Sequence, residues 1–421
     1  MATDYSERIF KADVFFPLIP NNDFFTSGED GKLRGLSFTE ATGTVNAKYF
    51  GAKGDLVIEK LTYETVGVVS GTDDSDAIQA ALDYAGSFVS DDVTEEFEGN
   101  ILCYVPYGKY YITKTLIVPP NVVLQADGIL YNFLSDRYAP IVKGSRHSHC
   151  RKLVVHANAG SGVEWGDAAS GSAPCSSVID ELKVWHAGVN YDAQKTPNQQ
   201  KCGLRLHGLD FFLGKIWIKG GNIGLHISVA SDVLASSLFL IGCACGMVIE
   251  SAEQIELPSC RWDTNINQAL QLDNSNNCRI SGAAFVNSDS YGSAMSLGVS
   301  IGKYSGNINT NIKVDYTAQS TGGYGLEISN AKDCAIRLQL TNSRNYAQTS
   351  GNGSATSHWV PTESGALLAH NIGTLYSLQG NNQIESAAAA IKYGSNLSGF
   401  IDIELAKSSD IIATEGTPYI G

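Results

Sequence analysis

The chain has 421 residues, 43% hydrophobic and 17% charged, which is enough apolar content to bury a large core and too little charge for a disordered chain. Its formal charge of -14, with no basic stretch carrying interleaved aromatics, argues against a nucleic-acid partner, because a phosphate backbone would be repelled. No apolar run approaches the ~20 residues needed to cross a bilayer. Residues 1–30 also lack the basic start, apolar segment and small-residue cleavage site of a secretion signal, so a chain made in a cytosol without membrane insertion is expected.

The 43 Gly beside 11 Pro suit many short strands separated by tight corners better than long helices. Residues 1–45 mix Phe15, Phe16, Phe24 and Phe25 with turn formers and show no sustained period. They are expected to form an arm that packs against something else, as an oligomer contact or an attachment segment. From Gly71 the run Gly-Thr-Asp-Asp-Ser-Asp places acids at a helix start, and apolar residues follow at 77, 78, 81, 82 and 85. This predicts one amphipathic helix from about Asp74, with Asp73 and Asp74 as its caps. Tyr104-Val-Pro-Tyr-Gly-Lys-Tyr-Tyr-Ile and Thr115-Leu-Ile-Val-Pro-Pro-Asn-Val-Val-Leu then read as the first strands.

Between 203 and 405 one theme recurs. The openings are Gly203-Leu-Arg-Leu-His, Gly224-Leu-His-Ile-Ser, Gly246-Met-Val-Ile-Glu, Ala269-Leu-Gln-Leu-Asp, Gly298-Val-Ser-Ile-Gly and Gly325-Leu-Glu-Ile-Ser. Second strands follow as Ile216-Trp-Ile-Lys, Leu238-Phe-Leu-Ile, Cys260-Arg-Trp-Asp, Ile312-Lys-Val-Asp and Ile336-Arg-Leu-Gln. A spacing of about 21 to 29 residues with an apolar period of two predicts an all-β solenoid, a parallel β-helix capped at its N-terminal end by the amphipathic helix. On this reading residues 1–45 are the arm, 46–150 the helix and first coils, 151–410 the remaining coils, and 411–421 a C-terminal tail. The segments 158–176, 189–202 and 343–363 are too long and polar for simple corners. They hold Glu164, Trp165, Tyr191, Asp192, Tyr346, His358 and Trp359, and long loops on a regular scaffold are where binding tends to sit. The nine Cys show no CxxC spacing, so they are expected to be reduced packing residues, with no metal and no cofactor.

Three segments, Ala47-Lys-Tyr-Phe-Gly-Ala-Lys-Gly-Asp, Thr72-Asp-Asp-Ser-Asp-Ala-Ile-Gln-Ala-Ala-Leu and Val105-Pro-Tyr-Gly-Lys-Tyr-Tyr-Ile, together resemble the pectate-lyase-like superfamily. That group includes polygalacturonases, mannuronan epimerases and the tailspike depolymerases of bacteriophages. The resemblance covers roughly residues 45–130 and implies a right-handed β-helix acting on a polysaccharide; Gly51, Gly54 and Gly108 would serve its turns. Past residue 150 there is no Asp-Asp, His207-Gly208 stands alone, and the Asp-Pro-His of epimerases is absent. In character the chain is therefore similar to the tailspike group. That likeness implies a bacterial surface polysaccharide as partner, a homotrimer, and a place in the virion tail with the arm as virion attachment.

Equivalent positions of neighbouring coils stack ~4.8 Å apart. The position closing each first strand reads His207, Ser228, Glu250, Asp273, Gly302 and Ser329, which makes Glu250 and Asp273 adjacent carboxylates. Such a pair would have one raised pKa and suit retaining glycoside hydrolysis. Along the second strands Lys219, Ile241, Asp263, Asp315 and Gln339 align, with Asp263 and Asp315 two coils apart, about 9 to 10 Å, which suits an inverting pair. Beside them Trp217, Phe239, Arg261, Lys313 and Arg337 offer aromatic faces for sugar rings and cations for acidic groups. The preferred catalytic pair is Asp263 with Asp315, ahead of Glu250 with Asp273; His358 and Trp359 are further substrate contacts. The competing reading makes Asp263–Arg261 and Asp315–Lys313 ordinary ion pairs. A lyase would instead use His207, His226 or a Tyr near an Arg. Alternation points Trp262 inward.

Overall fold

The computed structural model describes, with side chains, residues 43–89, 101–166, 176–189, 196–263 and 270–283 apart from Asp273; elsewhere it describes strand segments alone. The chain winds as a parallel β-solenoid. Leu204, Leu225, Met247, Leu270, Val299 and Leu326 fall in one register column, and Ile216, Leu238, Cys260, Gly282 and Ile312 in another. Where described, the large members of both columns are buried. Alternation drives this: each strand turns every second side chain into the lumen, and each fully buried Leu or Ile contributes roughly 1.5–3 kcal/mol. The described cysteines are buried, and Trp262 is fully buried.

A coil has three faces. In the Cys202–Gly220 strand, face 1 spans 202–207, face 2 spans 211–213 and face 3 spans 216–219; Ile223–Ile241 repeats the plan. Left-handed residues make the corners. Between faces 1 and 2, Asn121, His147, Ser176, Asp210, Asp232, Gln254 and Asn277 have φ of 56°, 55°, 38°, 62°, 54°, 55° and 54°. All are polar and several are Asn or Asp, the residues that enter this conformation at least cost among those with a side chain. A second left-handed column, at the end of face 1, runs Val229, Ser251 and Asn274, and here Val229 sits at φ 49° with 39% of its surface exposed. A β-branched residue is strained there and buries little in return. Val229→Asn is accordingly expected to stabilise the protein by about 1 kcal/mol, read as a higher melting temperature; a lower one would contradict this account of the corner.

The N-terminal end is closed by the helix Ser75–Gly86, which buries Ile78, Ala81, Leu82 and Ala85. Its cap differs in detail from the expectation. Asp73 accepts from Ser75 N at 3.0 Å, whereas Asp74 makes no capping bond. Buried Asp74 instead takes the backbone N–H groups of Lys53 at 2.5 Å and Gly54 at 3.0 Å, fastening the preceding turn to the helix start. In that turn Gly54 has φ +62° and a Cβ there would lie 2.8 Å from the Tyr110 ring. Ahead of the helix, Val57–Lys60 and Val66–Ser70 pair antiparallel, an element absent from the expected plan.

Two intervals differ from their sequence reading. Within 158–176, Val163–Gly166 is a strand paired to both neighbouring coils, and Trp165 is fully buried in the lumen. Its apolar neighbours obey strand alternation, so it is core and not a loop contact. Ile411–Ala413 pairs in parallel with Ile391–Tyr393, so coil pairing continues into the stretch read as a tail. In the arm, Asp23–Ser27 and Leu33–Ser37 form an antiparallel pair. No described helix is long and apolar enough to cross a membrane.

Candidate functional site

Face 3 carries a diagonal stripe of rings. Outward positions in successive coils place Tyr131 against His156, stacked at 5.0 Å and 20°, and His156 beside His186 at 5.1 Å. Trp185 meets Trp217 at 5.3 Å, Trp217 meets Phe239 at 6.3 Å, and the Arg261 guanidinium lies 5.0 Å from the Phe239 centroid. Arg261 then donates to Asp263 Oδ2 at 3.1 Å. Trp185 is 43% exposed, while Trp217 and Phe239 are half-buried. The expected neighbours Trp217, Phe239 and Arg261 are thus together, and Asp263 ends the stripe.

The register carries Asp263 to Phe285 and Phe285 to Asp315, so the two aspartates share a column with one coil between them. The column does not continue to Gln339: Asp315 pairs with Thr341, and Lys313 pairs with Gln339. Arg337 pairs with Asn311 and lies outside the column of Arg261 and Lys313, a correction of two residues. The Asp263–Arg261 ion pair of the competing reading is present, but within one strand and not between coils. The side chains of Asp315, Lys313 and Arg337 fall outside the described residues, as do His358, Trp359, Tyr191, Asp192 and Tyr346 altogether.

The β-hairpin ahead of the helix adds what sequence reasoning missed. Its tip reaches face 3, held by Val66 N donating to Asn158 Oδ1 at 2.8 Å. Tyr63 there packs edge-on against His186 at 5.3 Å and accepts a hydrogen bond from Lys219 Nζ. No local pattern marks this contact.

Face 1 holds a different arrangement. Glu250 and Asp273 are register neighbours as expected. Glu250 Oε1 accepts from buried His226 Nε2 at 2.9 Å and from Ser228 Oγ at 3.2 Å. Arg205 Nε donates to His226 Nδ1 at 3.3 Å, which fixes the tautomer: the proton is on Nε2 and points at Glu250. Arg205 also pairs with Glu164 at 3.3 Å and donates to Gln200 O at 2.8 Å. Every member is hydrogen-bonded inward, as a buried polar network requires, and His226 is a donor here and not a free base. On face 2, Asp232, Leu234, Gln254, Glu256, Asn277 and Arg279 line an open groove of about 570 Å³, away from every predicted carboxylate.

Burial pushes the imidazoles of His149, His186, His207 and His226 below their ordinary pKa; burial, with His186 alongside, lowers His156 to about 4. A histidine depressed in the folded state contributes stability that is complete above its unfolded pKa of ~6.5 and is lost as pH falls toward the folded value. The melting temperature is expected to drop by several degrees between pH 7 and pH 5, and His156→Gln to flatten that drop. A melting temperature independent of pH across this range would contradict the neutral, buried state of these rings.

No family profile matches this chain, and no curated protein matches it by sequence. Among solved structures it is similar to the Dettilon tailspike protein, at 13% identity and TM-score 0.50 over 94% of this chain and 70% of that one. Full-length tailspike protein 2 of an Escherichia coli O157:H7 bacteriophage matches at 15% identity and TM-score 0.46, over 91% of this chain and 45% of that one. The tailspike of E. coli bacteriophage HK620, solved with a pentasaccharide, matches at 10% identity and TM-score 0.48, over 98% and 84%. The chain spans about half the length of tailspike protein 2. At these identities the likeness is one of architecture: the chain is a parallel β-helix of the kind that tailspike proteins have.

Proposed function

We propose that this chain is a polysaccharide depolymerase of the tailspike type, cleaving a bacterial capsular or exopolysaccharide along face 3. The observation that carries the reading is the stripe from Trp185 through Trp217 and Phe239 to Arg261 and Asp263. Rings spaced from coil to coil present apolar faces to successive sugars, and the stripe ends on a carboxylate.

The chemistry proposed is hydrolysis of a glycosidic bond. Asp263 and Asp315, two rungs apart at about 9 to 10 Å between backbones, leave room for a water, as inversion requires. In this scheme Asp263, at the end of the ring stripe, would take the proton of the attacking water. Asp315 would then protonate the leaving oxygen. Glu250 and Asp273 stand second, because Glu250 Oε1 is committed to His226 and Ser228. A homotrimer, a place in the virion tail and attachment through residues 1–45 belong to the same proposal, supported by the fold and the superfamily resemblance.

The Arg261–Asp263 pair also favours a second reading, in which the face binds glycan without cutting it. Reducing-end release from a panel of capsular and exopolysaccharides separates the readings. Hydrolysis gives new reducing ends without ultraviolet absorbance, elimination gives an absorbing unsaturated sugar, and binding alone gives neither.

A further inference from the structure

We propose that Lys60, Tyr63 and Lys219 form an anion subsite on face 3 that takes the carboxylate of a hexuronate residue in the bound glycan. The inference rests on face 3 being the glycan face, and adds to it the chemical class of the sugar.

Three elements distant in sequence build the subsite. Lys219 closes the face 3 strand of its coil, His186 stands at the left-handed corner of the coil before it, with φ 57°, and Lys60 and Tyr63 come from the N-terminal hairpin. The hairpin tip is fixed by its own bonds, with Leu61 N and Thr62 N donating to Thr65 O, both at 3.1 Å, and by the anchor to Asn158. Tyr63 nevertheless remains 63% exposed. Around its ring, Lys219 Nζ lies 4.5 Å and Lys60 Nζ 5.4 Å from the centroid, and Lys219 also reaches the phenol oxygen.

Two ammonium groups brought to one ring repel each other unless an anion joins them. Lys114, Lys143, Lys152 and Lys183 each meet a carboxylate; among the described residues neither Lys60 nor Lys219 meets one. The adjoining His186 is neutral, since burial and then the charges of Lys219 and Lys60 push its pKa down, so the imidazole adds no charge of its own. Two ammonium groups against the single Glu64 carboxylate that also acts on Tyr63 leave a locally positive spot on a chain of formal charge -14.

Two separate ammonium donors can meet the two oxygens of a carboxylate, and sulfate is the competing anion that the test includes. A sugar must also be carried, and the exposed ring of Trp185 lies 6.3 Å from His186 and 5.3 Å from Trp217. A pyranose on these rings would direct its ring substituent toward the lysines.

The test titrates the full chain with glucuronate, its methyl ester, glucose and sulfate, following tryptophan indole resonances by NMR. Glucuronate is expected to bind about tenfold more tightly than the ester or glucose, and Lys60→Gln and Lys219→Gln each to remove about tenfold while glucose binding persists. Both lysines are at least partly exposed, and an unchanged melting temperature shows that these variants fold. Equal affinity for glucuronate and its ester, or sulfate binding as tightly as glucuronate, overturns the uronate subsite. If glucose still binds through Trp185, lost in Trp185→Ala, only the subsite falls. If no sugar perturbs the indoles, the glycan face itself is wrong.

Discussion

Replacing Trp165 by alanine is expected to lower the stability of the solenoid by about 3–5 kcal/mol, among the largest effects a single core residue can give. Trp165 is fully buried, its Nε1 donates to Ser148 O at 3.0 Å, and the coil before it leaves room by placing Gly144 beneath the indole. A Cβ at Gly144 would lie 2.0 Å from Trp165 Cε2, so Gly144→Ala should itself cost about 3 kcal/mol through overpacking, and Gly144→Ala with Trp165→Leu should recover part of that. Trp262 provides the contrast. It is equally buried, yet among the described residues its Nε1 has no hydrogen-bond partner, so Trp262→Phe loses ring volume but relieves an unsatisfied donor, whereas Trp165→Phe loses both volume and a bond. Urea or thermal melts should rank Trp165→Phe below Trp262→Phe; equal losses would contradict the packing described.

The largest functional effect is expected at Asp263. If Asp263 and Asp315 act as proposed, Asp263→Asn should reduce turnover by about 10²–10⁴-fold with little change in melting temperature, and Asp315→Asn likewise. Trp217→Ala should act differently, weakening substrate affinity by roughly tenfold per lost stacking partner while residual turnover persists at saturating glycan. Glu250→Gln separates the two carboxylate pairs. On face 1 it replaces the charged acceptor of a buried imidazole by a neutral amide oxygen, so it should destabilise the protein without abolishing turnover at face 3. Loss of turnover in Glu250→Gln, with Asp263→Asn fully active, would move the chemistry to face 1.

Much of the solenoid was legible because its signal is local and repeated. The residues Leu204, Leu225, Met247, Leu270, Val299 and Leu326, which hold equivalent places in the repeated openings, share one register column in the structure. The same logic explains its failure at Arg337. Ile336, Leu338 and Leu340 alternate identically with Arg337 and Gln339, and a period of two cannot distinguish a pairing from one shifted by two residues. Trp165 carries no core signal in the sequence because the four-residue strand Val163–Gly166 is too short to show a period among its polar neighbours. The left-handed corners were not anticipated, since a lone Asn, Ser, Gln or Asp at each coil carries no pattern until the coils are stacked. Tyr63 lay beyond reach altogether: its partner Lys219 is 156 residues away, and nothing in the hairpin's own sequence points to a ring stripe on the solenoid.

The central claim is that the glycan lies along face 3. Its most direct test takes a polysaccharide that the protein binds or cleaves and compares, by affinity electrophoresis, the double variant Trp185→Ala with Trp217→Ala against Phe212→Ser with Leu234→Ser, which alters two exposed apolar residues of face 2. The account predicts that retardation is lost in the face 3 variant and retained in the face 2 variant. The reverse result, with binding lost at face 2 and kept at face 3, would place the glycan in the groove of Asp232, Gln254, Glu256 and Arg279 and contradict the assignment.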